Sequence, residues 1–345
     1  GGKYTEAPHL YKKDGIYYLL MAEGGTEYGH MVTIQRSGNP YGPYEPCPHN
    51  PILSHRDDMR GDICCTGHGD LIEDENGRWW MVCLGIRPCS SPQKGSVMLH
   101  HLGRETFLAP VTWADDGWPH VGNNGRLALE MDAELPGEAV RGISSDFYDN
   151  FENPQMKKSY TFLRNPVMEN YKVDWQQQCL MLTGSDVTLN DIGSPTWIGI
   201  RQKAFKMEAS VKMCLAGDGP GRAGITAYYN KDYHYDLFAE RKDGKLLVAL
   251  GRHIHDFYAV TALQIIDVSD YLSSERELEL RIQTDKDVYR FEYRETGKTF
   301  RLLDTAATAG LCTEGTWVNT FTGTFIALFA EQTEARFRQF YVREI

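Results

Sequence analysis

The residues best equipped for acid–base chemistry stand near the start of the chain, in the run Thr5-Glu6-Ala7-Pro8-His9-Leu10-Tyr11. A carboxylate beside a proline, leading into an aromatic strand, suits the rim of a ligand site. By type alone Glu6 reads equally as a solvated side chain in a turn, as most surface glutamates do. A raised pKa would need burial or a neighbouring acid, which spacing does not reveal. The eight cysteines, Cys47, Cys64, Cys65, Cys83, Cys89, Cys179, Cys214 and Cys312, form no C-x-x-C pair. Neither a zinc ribbon nor a compact disulfide framework is expected; they read as reduced, buried thiols of an intracellular, cytoplasmic protein.

The elements that must position such residues read as strand after strand. Ile16-Tyr17-Tyr18-Leu19-Leu20-Met21 follows the turn signal Asp14-Gly15, and Trp79-Trp80-Met81-Val82-Cys83-Leu84 follows Asn76-Gly77. His30-Met31-Val32-Thr33-Ile34-Gln35 and Ser96-Val97-Met98-Leu99-His100 are further strands, each after glycine. Short strands joined by such turns suit a sandwich, a barrel or a propeller. Beyond about residue 145 the alternation is stricter. Met207, Ala209, Val211, Met213 and Leu215 point one way, and Glu208, Ser210 and Lys212 the other. Leu278, Leu280 and Ile282, and then Tyr289, Phe291 and Tyr293, repeat the pattern. One face on a core and one in water describes a two-sheet sandwich. Residues 130–141 lack such a pattern and read as a linker, giving two domains, 1–140 and 141–345.

Composition narrows the function. The chain has 345 residues with 36 Lys and Arg against 47 Asp and Glu, a net charge of −11. An acidic surface repels phosphates, so nucleic acid and anionic membrane are poor partners. No apolar run approaches the roughly 18 residues of a membrane span. Seven Trp, 19 Tyr and 14 Phe, with 33 Gly and 15 Pro, suggest an all-β protein with a planar-faced ligand such as a carbohydrate. The start Gly1-Gly2-Lys3 carries neither Met nor a signal-peptide core, so a processed, truncated or cut chain is expected.

Ordered motifs carry a resemblance across nearly the whole chain. Glu6-Ala7-Pro8-His9-Leu10-Tyr11-Lys12-Lys13-Asp14-Gly15, then Tyr17-Tyr18-Leu19, resembles the general-acid segment of glycoside hydrolase family 43. Ala22-Glu23-Gly24-Gly25-Thr26, Thr66-Gly67-His68-Gly69-Asp70-Leu71, Leu84-Gly85-Ile86-Arg87-Pro88 and Leu102-Gly103-Arg104-Glu105-Thr106-Phe107 follow in the family's order. Ser194-Pro195-Thr196-Trp197-Ile198-Gly199-Ile200-Arg201-Gln202 resembles the β-sandwich of its xylosidase-like branch. The resemblance implies an all-β chain: the C-terminal part of a five-bladed β-propeller, then a jelly-roll or concanavalin-like sandwich. It implies an inverting β-xylosidase or α-L-arabinofuranosidase acting on pentose-containing plant polysaccharides or oligosaccharides, with xylo- or arabino-oligosaccharide as partner.

Inversion needs an acid and a base on opposite sides of the scissile bond, with a water between. The resemblance makes Glu6 the acid, Arg87 an arginine lining the sugar pocket, and His68 a histidine near the propeller axis. A Ca²⁺ ion, structural and on that axis, is implied with His68 in an indirect role, because hard Ca²⁺ prefers oxygen. For Arg87 a salt bridge is the competing reading. The family's base Asp and a second Asp precede the acid motif, so the N-terminal blades are expected to be missing here. Asp14, in a turn, and Asp70 and Asp74, flanking a strand, do not replace them. The chain alone is then expected to be inactive until a complementary chain or protomer supplies the blades. The run Leu189-Asn190-Asp191-Ile192-Gly193-Ser194 lacks the pocket-closing aromatic of the xylosidases, which with Ala7 tilts the reading toward arabinofuranosidase. The competing class is a non-catalytic carbohydrate-binding or assembly fragment whose stable unit is the sandwich.

Overall fold

The computed structural model describes residues 2–58, 60–90, 98–134, 145–216, 220–266, 277–318 and 320–345. Two compact units emerge: Gly1–Cys89 with Arg104–Ile143, and Ser90–Gly103 with Ser144–Ile345. A single cut at residue 140 therefore does not describe the division, because residues 90–103 join the second unit. Most of the expected linker, residues 135–141, lies outside the described residues, as do Ser96 and Val97 of one expected strand.

The first unit is built from antiparallel meanders. Strands β1 (Glu6–Lys13), β2 (Ile16–Glu23), β3 (Met31–Ser37) and β4 (Glu45–Pro46) pair in that order, with β5 (Leu53–Ser54) also on β3. Strand β6 (Cys64–Glu73) pairs with β7 (Trp79–Ile86); after the short β8 (Cys89–Ser90) and β9 (Met98–Leu99), β10 (Glu105–Trp113) pairs with β7, and β11 (Pro119–Val121) closes the sheet. These are two consecutive blades, the first of five strands counting β5 and the second of four. The β1–β2 hairpin turns on Asp14 and Gly15 at φ +49° and +82°, the paired left-handed geometry an Asp-Gly turn supplies. Tyr18, Leu20, Val32 and Ile34 of the first blade meet Leu71, Met81, Ala109 and Val111 of the second in one core. Asp70 lies inside β6, not beside a strand as expected; Asp74 does follow it, in the turn to β7.

The second unit is a two-sheet sandwich. Its strands are β12 (Phe147–Asp149), β13 (Thr161–Phe162), β14 (Tyr171–Asp174), β15 (Cys179–Thr183), β16 (Thr196–Arg201), β17 (Met207–Leu215), β18 (Arg222–Asn230), β19 (Tyr233–Lys242), β20 (Lys245–Ile254), β21 (Phe257–Ile266), β22 (Leu278–Thr284), β23 (Val288–Glu295), β24 (Arg301–Ala307), β25 (Phe325–Glu331) and β26 (Glu334–Glu344). One sheet runs β14-β15-β26-β17-β22-β23-β24, with β12 on β26; the other runs β13-β16-β25-β18-β19-β20-β21. Val211, Leu280, Phe291 and Phe337 pack against Ile225, Leu237, Leu250 and Leu328. The expectation that the second face of β17 is in water fails: Glu208 is 4 % and Ser210 0 % exposed. Glu208 accepts from Tyr341 and Arg343 at 2.7 Å each and from Gln283 at 2.6 Å. Burial disfavours its charge, yet those bonds hold it below the usual carboxylate range. Alternation fixes which face a residue takes, not whether neighbouring arginines and tyrosines then roof it over.

Candidate active site

Glu6 begins β1 and is exposed. Pairing with β2 runs Glu6↔Ala22 and then His9↔Leu20, a bulge that re-aims the first residue of the strand. Ala7 carries the bulge at φ +48°, a left-handed conformation that costs an L-residue about 1–2 kcal/mol. Tyr11 fastens β1 to the second blade: its hydroxyl accepts from Leu71 N at 2.9 Å and donates to Asp70 at 3.4 Å, while His9 Nδ1 lies 3.0 Å from the same carboxylate. Asp70 thus holds the acid-bearing strand in place.

His30, which the sequence reading left within a strand, organises this end of the unit. It sits just before β3, only 1 % exposed, with Nδ1 3.1 Å from the Cys65 carbonyl. Its Nε2 is buried with no hydrogen-bond partner among the described residues. Gly67 is required beneath it, because a Cβ there would stand 2.4 Å from the ring. Burial holds the imidazole below its usual range; the Cys65 carbonyl opposes this, Arg104 and His68 add to it, and Glu6 opposes it. Groups from three other stretches of sequence (Glu6, His68 and Arg104) therefore act on His30 electrostatically.

His68 is exposed on β6 at φ +51°, where the register slips between Gly67↔Leu84 and Asp70↔Val82. The slip turns its side chain outward while Gly67 and Gly69 stay buried. Arg104 immediately precedes β10. Its Nη1 donates to Thr26 Oγ1 at 2.5 Å and its Nη2 to the Thr26 carbonyl, and burial lowers its pKa. Arg87 donates from Nε and Nη2 to Glu105 at 2.9 and 2.8 Å, the salt bridge that was its competing reading. Glu6, His68 and Arg104 thus all act on the charge of His30, while Arg87 pairs with Glu105. The signal for Arg104 was present in the Leu102-Gly103-Arg104-Glu105 motif, whose Glu105 is the partner that occupies Arg87.

The donor set does not fit a directly bound calcium ion. The groups named are two imidazoles, one guanidinium and one carboxylate, whereas Ca²⁺ takes six to eight oxygens. Among the described residues no three His, Cys, Asp or Glu side chains converge as a metal site. All eight cysteines are thiols, seven of them buried, and burial pushes Cys83 up to about 12.

Comparison with known proteins fits this geometry. The model of Glycosyl hydrolases family 43 matches residues 1–119, and that of the Beta xylosidase C-terminal Concanavalin A-like domain matches residues 148–343. A non-reducing end alpha-L-arabinofuranosidase of Bacteroides ovatus is 35% identical over 333 residues, 96% of this chain and 60% of that protein. A xylosidase/arabinosidase of Butyrivibrio fibrisolvens is 36% identical over 253 residues, 72% of this chain and 47% of that protein. The solved Bacteroides ovatus Xyloglucan PUL GH43B superposes with a TM-score of 0.88 at 34% identity, covering 100% of this chain and 67% of that one. The chain thus spans about half to two thirds of the length of these relatives. Blades, sandwich and motif order agree, and the chain belongs to glycoside hydrolase family 43.

Proposed function

We propose that this chain is part of an inverting glycoside hydrolase that removes terminal α-L-arabinofuranose or β-xylose from pentose-containing plant oligosaccharides. Glu6 is the general acid: its proton passes to the departing glycosidic oxygen as the C1–O bond breaks. A carboxylate base on the opposite face takes a proton from water as the new C1–OH bond forms with inversion. The observation that carries this reading is the exposed Glu6 on its bulge, which with His68 and Arg104 acts on the charge of His30. Arg104, held rigid by Thr26, offers the fixed cation that would bind a sugar hydroxyl. The base is proposed to come from outside these 345 residues, through further residues of the polypeptide, a complementary chain or a second protomer. The thiol-rich composition supports a reducing, cytoplasmic setting for this reading.

Arabinofuranoside is the preferred substrate. Residues 189–194 carry no aromatic, and Trp197 just beyond is completely buried in the sandwich. The test is hydrolysis of aryl α-L-arabinofuranoside and aryl β-xyloside by the whole protein, with the first-formed anomer read by NMR. Inverted pentose, faster from the arabinofuranoside, supports the reading. Retained configuration, or no turnover of either, overturns it.

A further inference from the structure

We infer that Asp70 is a positioning residue for the proton transfer made by Glu6: its carboxylate clamps β1 to β6 and so fixes where Glu6 stands. The inference rests on the reading of Glu6 as the general acid. Both strands are irregular where they bear the candidate site. On β1 the ladder to β2 breaks after Glu6↔Ala22 and resumes at His9↔Leu20. Within that gap Ala7 is left-handed, and Pro8 has no N–H to give. On β6 the ladder to β7 breaks after Gly67↔Leu84 and resumes at Asp70↔Val82, with His68 inside the gap. A bulged stretch is held less firmly by its own sheet, because its ladder bonds are interrupted. The placement of Glu6 and His68 therefore depends on what pins the residues at which the two ladders resume.

Those residues pin each other. His9 Nδ1 lies 3.0 Å from Asp70 Oδ1. A carboxylate only accepts, so Nδ1 bears the proton and donates it. Tyr11, on the same face of β1 as His9, donates to that same oxygen at 3.4 Å and accepts from Leu71 N at 2.9 Å. Strand β6 ends its sheet, and the Tyr11 hydroxyl is what meets this N–H of its free edge. The His9 and Tyr11 rings stack with centroids 6.3 Å apart. Burial above all pushes the Tyr11 pKa up; the Leu71 bond opposes this and the Asp70 charge adds to it, so the hydroxyl keeps the proton it donates. One oxygen of Asp70 thus holds two residues of the acid-bearing strand, both just beyond its bulge. The His9 and Asp70 side chains are 39 % and 48 % exposed, where an ion pair adds little stability. What the clamp supplies is placement, and a displacement of about 1 Å at a reacting group can cost about 100-fold in rate.

The experiment measures kcat/KM of the whole protein on aryl and alkyl pentosides of graded leaving-group ability, for Asp70→Leu, Asp70→Asn and Tyr11→Phe beside Glu6→Gln. Asp70→Leu should lose about 10- to 100-fold on the poor leaving groups and less than about 3-fold on dinitrophenyl pentosides, which need no proton. Tyr11→Phe should show a smaller loss with the same selectivity. Asp70→Asn, whose amide oxygen still accepts both bonds, should stay within about 3-fold of the parent throughout. Melting temperatures should fall by no more than about 4 °C in any of them. A loss for Asp70→Leu that is uniform across the series would overturn the inference, because Asp70 would then act on the water or the sugar itself. So would an Asp70→Asn as slow as Asp70→Leu, or a loss that tracks a melting temperature lowered by about 10 °C or more. If Glu6→Gln shows the selective loss and Asp70→Leu shows none, the clamp is refuted while Glu6 stands as the acid. If Glu6→Gln itself shows no selectivity, the acid assignment fails and this inference falls with it.

Discussion

Replacing Gly67 with alanine places a methyl group 2.4 Å from His30 Cδ2 and 2.5 Å from Cγ and Nε2. Carbon atoms settle at about 3.5–4.0 Å, so something must move by roughly 1 Å. The ring has little freedom, being 1 % exposed with Nδ1 tied to the Cys65 carbonyl. Strand β6 has little either, since Gly67 pairs with Leu84 between two register slips. Overpacking of this kind costs about 1–3 kcal/mol. For a unit of this size that is a fall of roughly 4–12 °C in melting temperature. His30→Ala removes the obstacle, at its own cost in cavity and hydrogen bond. In that background Gly67→Ala should cost less than about 0.5 kcal/mol, giving a coupling of at least about 0.5 kcal/mol. Urea unfolding of the four proteins, followed by tryptophan fluorescence, measures the cycle. Equal cost of Gly67→Ala with and without His30 would show that the ring is not what demands the glycine.

Three further outcomes follow from the same geometry. Ala7→Gly relieves the left-handed strain at φ +48° and, after the entropy a glycine loses on folding, should raise stability by about 0.5–1 kcal/mol in the same assay. Arg104→Ala should lower kcat/KM by about 100-fold or more, whereas Arg87→Ala, which breaks a part-exposed ion pair, should cost about 0.2–1 kcal/mol of stability and little activity; the reverse ranking would restore Arg87 to the pocket. His101 is fully buried, and burial with the nearby His100 lowers its pKa to about 3. The unfolded chain takes up that proton near 6.5 and the folded chain does not, so stability present above pH 6.5 is lost as pH falls toward 3, by about 2 kcal/mol between pH 6.5 and 5. Neither ring nitrogen has a partner among the described residues, so His101→Phe should flatten that slope in urea titrations at each pH; an unchanged slope would assign it elsewhere.

What could be read from sequence was local. Asp14-Gly15 and Asp243-Gly244 announce hairpins because both residues of such turns take positive φ, and both pairs do. Leu278, Leu280 and Ile282 announce a half-buried strand because side chains alternate, and all three are buried. Glu6 was legible through its motif. What lay beyond reach depends on what the fold brings opposite. Arg87 and Arg104 sit in equally plausible motifs, and that Glu105 pairs with Arg87 is visible only in the fold. Residues 96–100 read as one more strand of the first domain. Yet His100 bonds to Glu314 through its backbone N at 3.1 Å, the His101 carbonyl accepts from Thr324 at 2.9 Å, and Arg201 donates to the Leu102 carbonyl at 2.7 Å. Those partners lie about a hundred to more than two hundred residues away, where no periodicity reaches.

The account's central claim is that Glu6 donates the proton, and its most direct test is the leaving-group dependence of Glu6→Gln in the whole protein. General-acid catalysis contributes about 100- to 10,000-fold, and only where the departing oxygen needs protonation. The variant should therefore lose roughly that factor in kcat/KM on alkyl or weakly acidic aryl glycosides, while dinitrophenyl glycosides, which leave unaided, are hydrolysed at close to the parent rate. A uniform loss across the series, or no loss on the poor leaving groups, would contradict it.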